Sequence, residues 1–280
     1  MTAQQPDVLL ELEHVTLSYG AVVALNDVTF SVAAGAVHGV LGEDGAGKTT
    51  LMKILGGYLP NKEYSGVVRL AGQPLALSSI KDGLRHGVAL VPRLLAVFDH
   101  MSVAENATMA RSESQRRFSI SRRQMDGQAA DIFRRWQISI PLDAQVRELT
   151  PLQRRQLMIA NALGVEPALV VLDEPLAGMP DGRAISGVVR LIRRMAERGV
   201  TCLCLARRPV DATLLADHVT VLRDGAVAGQ WQREEFDEPT LAAAMASQRA
   251  YDPEARARHD DFGQRTGMFD RWFKGTGRQL

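Results

Sequence analysis

Nine consecutive residues, Gly42-Glu43-Asp44-Gly45-Ala46-Gly47-Lys48-Thr49-Thr50, constrain this chain more than any others. They follow an apolar run, Ala36-Val37-His38-Gly39-Val40-Leu41, that reads as a buried strand. They precede Leu51-Met52-Lys53-Ile54-Leu55, which reads as a helix. Strand, glycine-rich loop and helix in that order are the context in which this spacing wraps a phosphate group. Glycines at 42, 45 and 47 let the backbone close around an anion, with N–H groups and the helix N-terminus facing it. Lys48 has the reach for β- and γ-phosphates, and Thr49 carries a hydroxyl suited to magnesium. The spacing predicts a nucleotide-phosphate site made of Gly42, Glu43, Asp44, Gly45, Ala46, Gly47, Lys48, Thr49 and Thr50.

A chain of 280 residues with 46% hydrophobic content buries enough surface for one large α/β domain, with room for an inserted subdomain. Its formal net charge of +1 gives no general attraction to nucleic acid or acidic lipid. No apolar run approaches the roughly 18 residues that span a bilayer. The start of the chain, with Asp7 and Glu11 and no basic residue, is unlike a signal peptide. The expectation is a cytosolic protein unless a partner holds it at a membrane. Cys202 and Cys204 alternate within an apolar strand pattern and read as small buried hydrophobes in a reducing compartment. The six histidines (14, 38, 86, 100, 218 and 259) are scattered, form no pair at ligand spacing, and read as structural or surface residues.

Apolar and polar residues alternate over Leu10–Leu17 and again over Val28–Val32, which predicts antiparallel strands with turns near Asn26-Asp27 and Gly35. Short strands follow at 66–70 and 87–91, the second ended by Pro92. Residues 99–164 read mainly as helix and carry an arginine excess at 111, 116, 117, 122, 123, 134, 135, 147, 154 and 155. That excess suits a solvated helical face or a docking surface. The α/β pattern resumes with strand 168–172, helix 181–198, strand 200–205, a short helix near 210–215 and strand 218–222. Beyond about Gln248 the composition turns polar and basic. This tail reads as flexible, or as a small interfacial helix carrying Phe269, Trp272 and Phe273.

Leu172-Asp173-Glu174-Pro175 lies 125 positions after Lys48, at the end of an apolar strand, where an open α/β sheet places its ligand chemistry. Asp173 suits the magnesium shell, and Glu174 suits a general base holding the attacking water.

With these motifs assembled, residues 8–247 resemble an ATP-binding-cassette ATPase, specifically the cassettes of bacterial ribose-type monosaccharide importers. The resemblance rests on Leu17-Ser18-Tyr19-Gly20 with Ala24-Leu25, Gly42–Leu55, Met101-Ser102-Val103-Ala104-Glu105-Asn106, Leu172–Pro175 and Ala216–Gly225. It implies a P-loop NTPase fold: a RecA-like α/β core, an antiparallel β subdomain, and a helical insertion at about 99–164. It implies ATP and Mg2+ as ligands, Tyr19 stacked on adenine, Thr49 and Asp173 on the metal, and Glu174 and Arg207 as catalytic residues. Implied partners are transmembrane permease subunits, a second cassette and, indirectly, a periplasmic solute-binding protein, with no nucleic acid. The implied location is cytoplasmic and peripheral, on the inner face of the cell membrane.

The sequence departs from the family pattern in four places, one of them the loop Leu176-Ala177-Gly178-Met179-Pro180, which lacks the usual Ser-Ala-Leu. The signature segment falls on Leu149-Thr150-Pro151-Leu152-Gln153, where Pro151 lacks an N–H and Leu152 adds bulk. What remains is a good helix start, with Thr150 as N-cap, Pro151 at the first position and Gln153 closing a capping box. Arg93 stands where the family carries a metal-facing glutamine, and it has donors only. Arg207 stands where the family carries a histidine; it keeps a positive charge for phosphate but not imidazole geometry. Two functions compete on this basis: an energising ATPase subunit of a sugar-type importer, or a hydrolysis-deficient ATP-binding cassette paired with a competent partner. A soluble cassette acting on nucleic acid or ribosomes lacks the expected basic surface.

Overall fold

Alternating burial organises the first strands. In the computed structural model, which describes residues 8–94, 97–114 and 121–246, β1 (Val8–Tyr19) and β2 (Val22–Ala33) pair antiparallel. Leu10, Leu12, Val15 and Leu17 from β1 meet Leu25, Val28, Phe30 and Val32 from β2 on the buried face. The turn expected at Asn26-Asp27 lies instead at Gly20-Ala21. Asp27 sits within β2 at φ 55°, where the register shifts between Val15↔Val28 and Leu17↔Leu25. A turn-forming residue is here used as a β-bulge. Its N–H donates to Thr16 Oγ1 at 2.9 Å, and its carboxylate meets His14 Nδ1 at 2.7 Å.

The chain continues through β3 (Val37–Leu41), α1 (Lys48–Leu55), β4 (Ser65–Leu70), β5 (Gln73–Pro74), α2 (Ile80–Arg85) and β6 (Val88–Val91). Strand β4 pairs with β1 and β5, completing an antiparallel sheet of order β2-β1-β4-β5. Three helices follow, α3 (Val103–Ser114), α4 (Arg122–Trp136) and α5 (Pro151–Leu163). The α/β alternation then resumes with β7 (Leu169–Asp173), α6 (Gly182–Glu197), β8 (Thr201–Ala206), α7 (Pro209–Leu215) and β9 (His218–Arg223). The hairpin strand β10 (Ala226–Gln232) and helix α8 (Glu238–Met245) close the described part, an element pair that the sequence pattern did not single out.

The second sheet has the order β10-β9-β3-β8-β7-β6, with all neighbours parallel except β10 against β9. Its central strands are apolar on both faces, as a doubly covered parallel sheet requires. Val170, Leu172, Cys202 and Cys204 point toward the helices α3–α6, whereas Leu169, Val171, Leu203 and Leu205 point toward α1 and the antiparallel sheet. The two thiols therefore share one buried face and act as small hydrophobes; burial pushes Cys204 up to about 12. Helix α6 lays Ala184, Gly187, Val188, Leu191, Ile192 and Met195 on that same core, a spacing of three and four that gives one apolar stripe.

The three helices between β6 and β7 are held by local caps and one buried charge. Ser121 caps α4 and Thr150 caps α5, each in a reciprocal box with the glutamine three residues on. Each such cap is worth about 1 kcal/mol. Within the arginine excess, Arg122, Arg123, Arg134, Arg135 and Arg147 are exposed, as a solvated face and a docking surface both require, but Arg155 is buried. Arg116, Arg117, the Arg111 side chain and the polar stretch 248–280 with Phe269, Trp272 and Phe273 lie outside the described residues.

Candidate functional site

Strands β3, β8, β7 and β6 run parallel, so their C-terminal ends meet along one edge. From that edge rise the loop after Leu41, Arg207 after Ala206, Asp173-Glu174 at the end of β7, and Pro92-Arg93 after Val91. Gly42 N–H donates to Ala206 C=O at 3.2 Å, fastening the start of the loop to β8.

Two glycines in the loop are dictated by contact. A Cβ at Gly42 would lie 2.5 Å from the Leu222 carbonyl oxygen. At Gly47, φ is 103° and a Cβ would lie 2.6 Å from the Ala24 carbonyl oxygen of β2. Gly47 is also the N-cap of α1 and supplies no side-chain cap, so the first N–H groups of that helix face the loop as an electropositive end. Lys48 folds over the loop, donating from Nζ to Gly42 C=O at 2.6 Å and Glu43 C=O at 2.8 Å. Burial lowers its pKa, while Asp44, Glu174 and Asp173 pull the other way and Arg207 adds to the lowering. The side chain of Thr49 is exposed and that of Thr50 is buried. Tyr19, at the end of β1, is half-buried against the α1 core and shares a hydrogen bond with Thr50. The structure thus brings Tyr19, the loop, Asp173, Glu174 and Arg207 into one neighbourhood.

The acidic pair at the end of β7 is strained and partly desolvated. Glu174 adopts φ 44°, a left-handed conformation costing about 1–2 kcal/mol for a residue with a Cβ. It is fixed there by Glu174 N–H donating to Leu205 C=O at 2.9 Å. Burial, then the neighbouring Glu174 charge, pushes the Asp173 carboxyl up to about 6; Lys48, Arg93 and a hydrogen bond from the Arg93 backbone N–H oppose this.

Two arginines complete the edge. Arg93 Nε lies 3.4 Å from Glu174 Oε2, with the arginine side chain 49% exposed and that of the glutamate 11%. Arg207 Nη1 lies 3.4 Å from Asp44 Oδ2. At this exposure each pair contributes on the order of 0–1 kcal/mol. Their significance is positional: each sets a guanidinium against a carboxylate that also acts on Lys48.

Helix α5 supplies a residue that the sequence pattern did not mark as functional. Arg155 is buried and donates to Pro92 C=O and Arg93 C=O at 3.3 Å and to Ala177 C=O at 3.4 Å. One guanidinium thereby ties the segment after β6 to the segment after Glu174. The available signal was its place in the apolar stripe of α5, three residues from Leu152 and four from Ile159.

The signature segment folds as a cap. Thr150 Oγ1 accepts from Gln153 N–H at 3.3 Å, Thr150 N–H donates to Gln153 Oε1 at 3.0 Å, and Pro151 occupies the first turn. Leu152 turns inward against α6. The histidines are not all isolated. His38 on β3 and His218 on β9 are cross-strand partners with ring centroids 6.3 Å apart, and His38 Nε2 lies 2.9 Å from Thr220 Oγ1. Burial and then His218 lower His38 to about 3, so it is neutral. Among the described residues no group of His, Cys, Asp and Glu is gathered to hold a metal by itself, and no helix is long and apolar enough to cross a membrane.

A family model described as ABC transporter matches residues 25–177. The xylose import ATP-binding protein XylG of Geobacillus kaustophilus is 33% identical over 237 residues, 85% of this chain and 47% of that protein. The ribose import ATP-binding protein RbsA of Burkholderia mallei is 34% identical over 259 residues, 91% of this chain and 50% of that protein. The chain thus spans about half the length of the curated relatives it matches. Among solved structures, an ATP-binding cassette of an ABC transporter in its ADP conformation superimposes with a TM-score of 0.75 at 22% identity, covering 85% of this chain and 98% of that one. A nucleotide-free cassette gives 0.74 at 21%, over 86% and 100%. These two are likenesses of fold, and the fold they share is the P-loop NTPase α/β core.

Proposed function

The chain belongs to the ABC transporter family, and from that premise we propose that it is the ATP-binding subunit of a bacterial sugar importer, coupling ATP binding and hydrolysis to transport. One observation carries this reading: the Lys48 loop and the Asp173-Glu174 pair share one edge, near enough that both carboxylates act on the lysine. Similarity over most of the chain to xylose and ribose import ATP-binding proteins supports the sugar assignment. Residues 8–247 constitute the cassette in this reading, with 99–164 as its helical insertion.

The residues present suit ATP and magnesium. The loop excludes any side chain at Gly42 and Gly47, leaving backbone N–H groups and an uncapped helix start for an anion. Lys48 binds the β- and γ-phosphates, with Gly42 to Thr50 as the cradle, and Tyr19 offers an aromatic face to adenine. Thr49 and Asp173 would hold magnesium, which supplies charge neutralisation along the phosphate chain. Glu174 takes a proton from the attacking water, and Arg207 offsets charge at the γ-phosphate. Retention of Lys48, Thr49, Asp173 and Glu174 together supports an ATPase over the hydrolysis-deficient alternative.

The partners in this reading are transmembrane permease subunits, a second cassette and, indirectly, a periplasmic solute-binding protein, with the chain peripheral on the inner face of the membrane. Titration calorimetry with ATP and a turnover assay test it. Lys48→Ala is expected to abolish binding. Glu174→Gln is expected to keep binding and lower turnover on the order of 10²- to 10⁴-fold. Folded protein without ATP affinity would overturn the proposal.

A further inference from the structure

Residue 93 touches both carboxylates at the end of β7. Its backbone N–H donates to Asp173, and its guanidinium lies 3.4 Å from Glu174 Oε2. The backbone of this segment is anchored from below, because buried Arg155 grips the Pro92 and Arg93 carbonyls. Glu174 is equally fixed, since its left-handed backbone is bonded to β8 and its side chain is largely enclosed. The half-exposed Arg93 side chain is therefore the movable member of the pair.

An arginine is charged at any working pH and has donors only, so it competes with water for the carboxylate oxygen it engages. The anion cradle lies on the same edge but has contacts of its own, none of them with Arg93: Lys48 is bonded to Gly42 and Glu43, and the glycine contacts are with Leu222 and Ala24. Binding and cleavage thus depend on different contacts.

We propose that Arg93 is a positioning residue that sets the rate of ATP hydrolysis by occupying the Glu174 carboxylate in place of the attacking water. The inference rests on the ATPase reading above. In the step it governs, Glu174 takes one proton from water, whose oxygen bonds the γ-phosphorus. The bond from that phosphorus to the bridging oxygen breaks, and its electron pair leaves with ADP. Arg93 gains and loses no proton; it is displaced from Glu174 before the step. The native chain consequently turns over ATP more slowly than it would with Glu174 released.

The test uses the full chain and its Arg93→Gln, Arg93→Lys and Arg93→Gln/Glu174→Gln variants, with ATP affinity by calorimetry and kcat and KM from steady-state turnover. Arg93→Gln is expected to raise kcat about fivefold, the most that a pair of this exposure can hold back, while affinity and KM stay within about twofold. Arg93→Lys, which keeps the charge, is expected to stay within about 1.5-fold of the native rate. The double variant is expected to fall to the rate of Glu174→Gln alone, showing that the gain passes through Glu174. A normal affinity with unchanged or lower kcat in Arg93→Gln would overturn the inference. Loss of ATP affinity in the folded native chain would overturn the ATPase reading instead. An unchanged thermal midpoint in Arg93→Gln shows that folding is not what is being read.

Discussion

Leu152 of α5 rests against Gly187 of α6, so closely that a methyl group at 187 would lie 2.9 Å from both Leu152 Cδ atoms. The residue that breaks the signature pattern is seated in a gap left by a glycine on the next helix. Gly187 leaves the room that the Leu152 side chain fills.

This contact predicts coupling in a double-mutant cycle. Alone, Gly187→Ala is expected to change stability little, because the helix gain of about 1 kcal/mol is offset by crowding against Leu152. In a Leu152→Ala background the same substitution is expected to stabilise by about 1 kcal/mol. Urea denaturation of the four proteins measures the difference.

Asp173 is held above its ordinary carboxylate value chiefly by burial, so its ionisation costs folding stability. A raised carboxyl contributes stability below about pH 4 that is lost as pH climbs through about 6. Asp173→Asn is expected to raise stability at pH 7.5, without magnesium, by about 1–3 kcal/mol, and to abolish turnover. Denaturant midpoints and an ATPase assay check the two outcomes together.

His38 has the opposite sign. Its folded value, near 3, is depressed, so its contribution is present above the ordinary imidazole value of 6.5 and is lost as pH falls toward 3. Asp173 and His38 therefore oppose each other between about pH 4 and 6, and the native chain is expected to show a shallow dependence there. Asp173→Asn exposes the His38 part as a slope of about 1.4 kcal/mol per pH unit, stability falling with acid. Denaturation curves from pH 4 to 7 measure it.

Arg155→Ala removes a buried guanidinium from three carbonyls on two loops. It is expected to cost about 2–4 kcal/mol and to speed amide exchange around 92–94 and 177–179. Hydrogen exchange resolves this local loosening from a general loss of stability.

The phosphate loop, the acidic pair and the Thr150 cap were legible because each is a contiguous run whose chemistry depends on local spacing. Period-two alternation and apolar runs mark the strands of both sheets. The bulge at Asp27 was read as a turn because Asn-Asp serves both, and only pairing with β1 decides between them. Arg155, the Arg93–Glu174 pair and the seat of Leu152 on Gly187 join residues 22 to 81 positions apart, so no window of sequence contains them. The backbone of Glu174 was hidden for another reason: its left-handed turn is imposed by Leu205 on the adjacent strand.

The Ala24 carbonyl stands directly behind Gly47, and two residues on, Asn26 N–H binds Gly225 C=O at 2.8 Å. Strand β2 is thus a rigid backstop for a pocket to which it lends no reactive group. A tilt of one sheet relative to the other would deform the loop from the rear, so a mutation among the outer strands would reach Gly47 mechanically, with no charge or proton relayed in between.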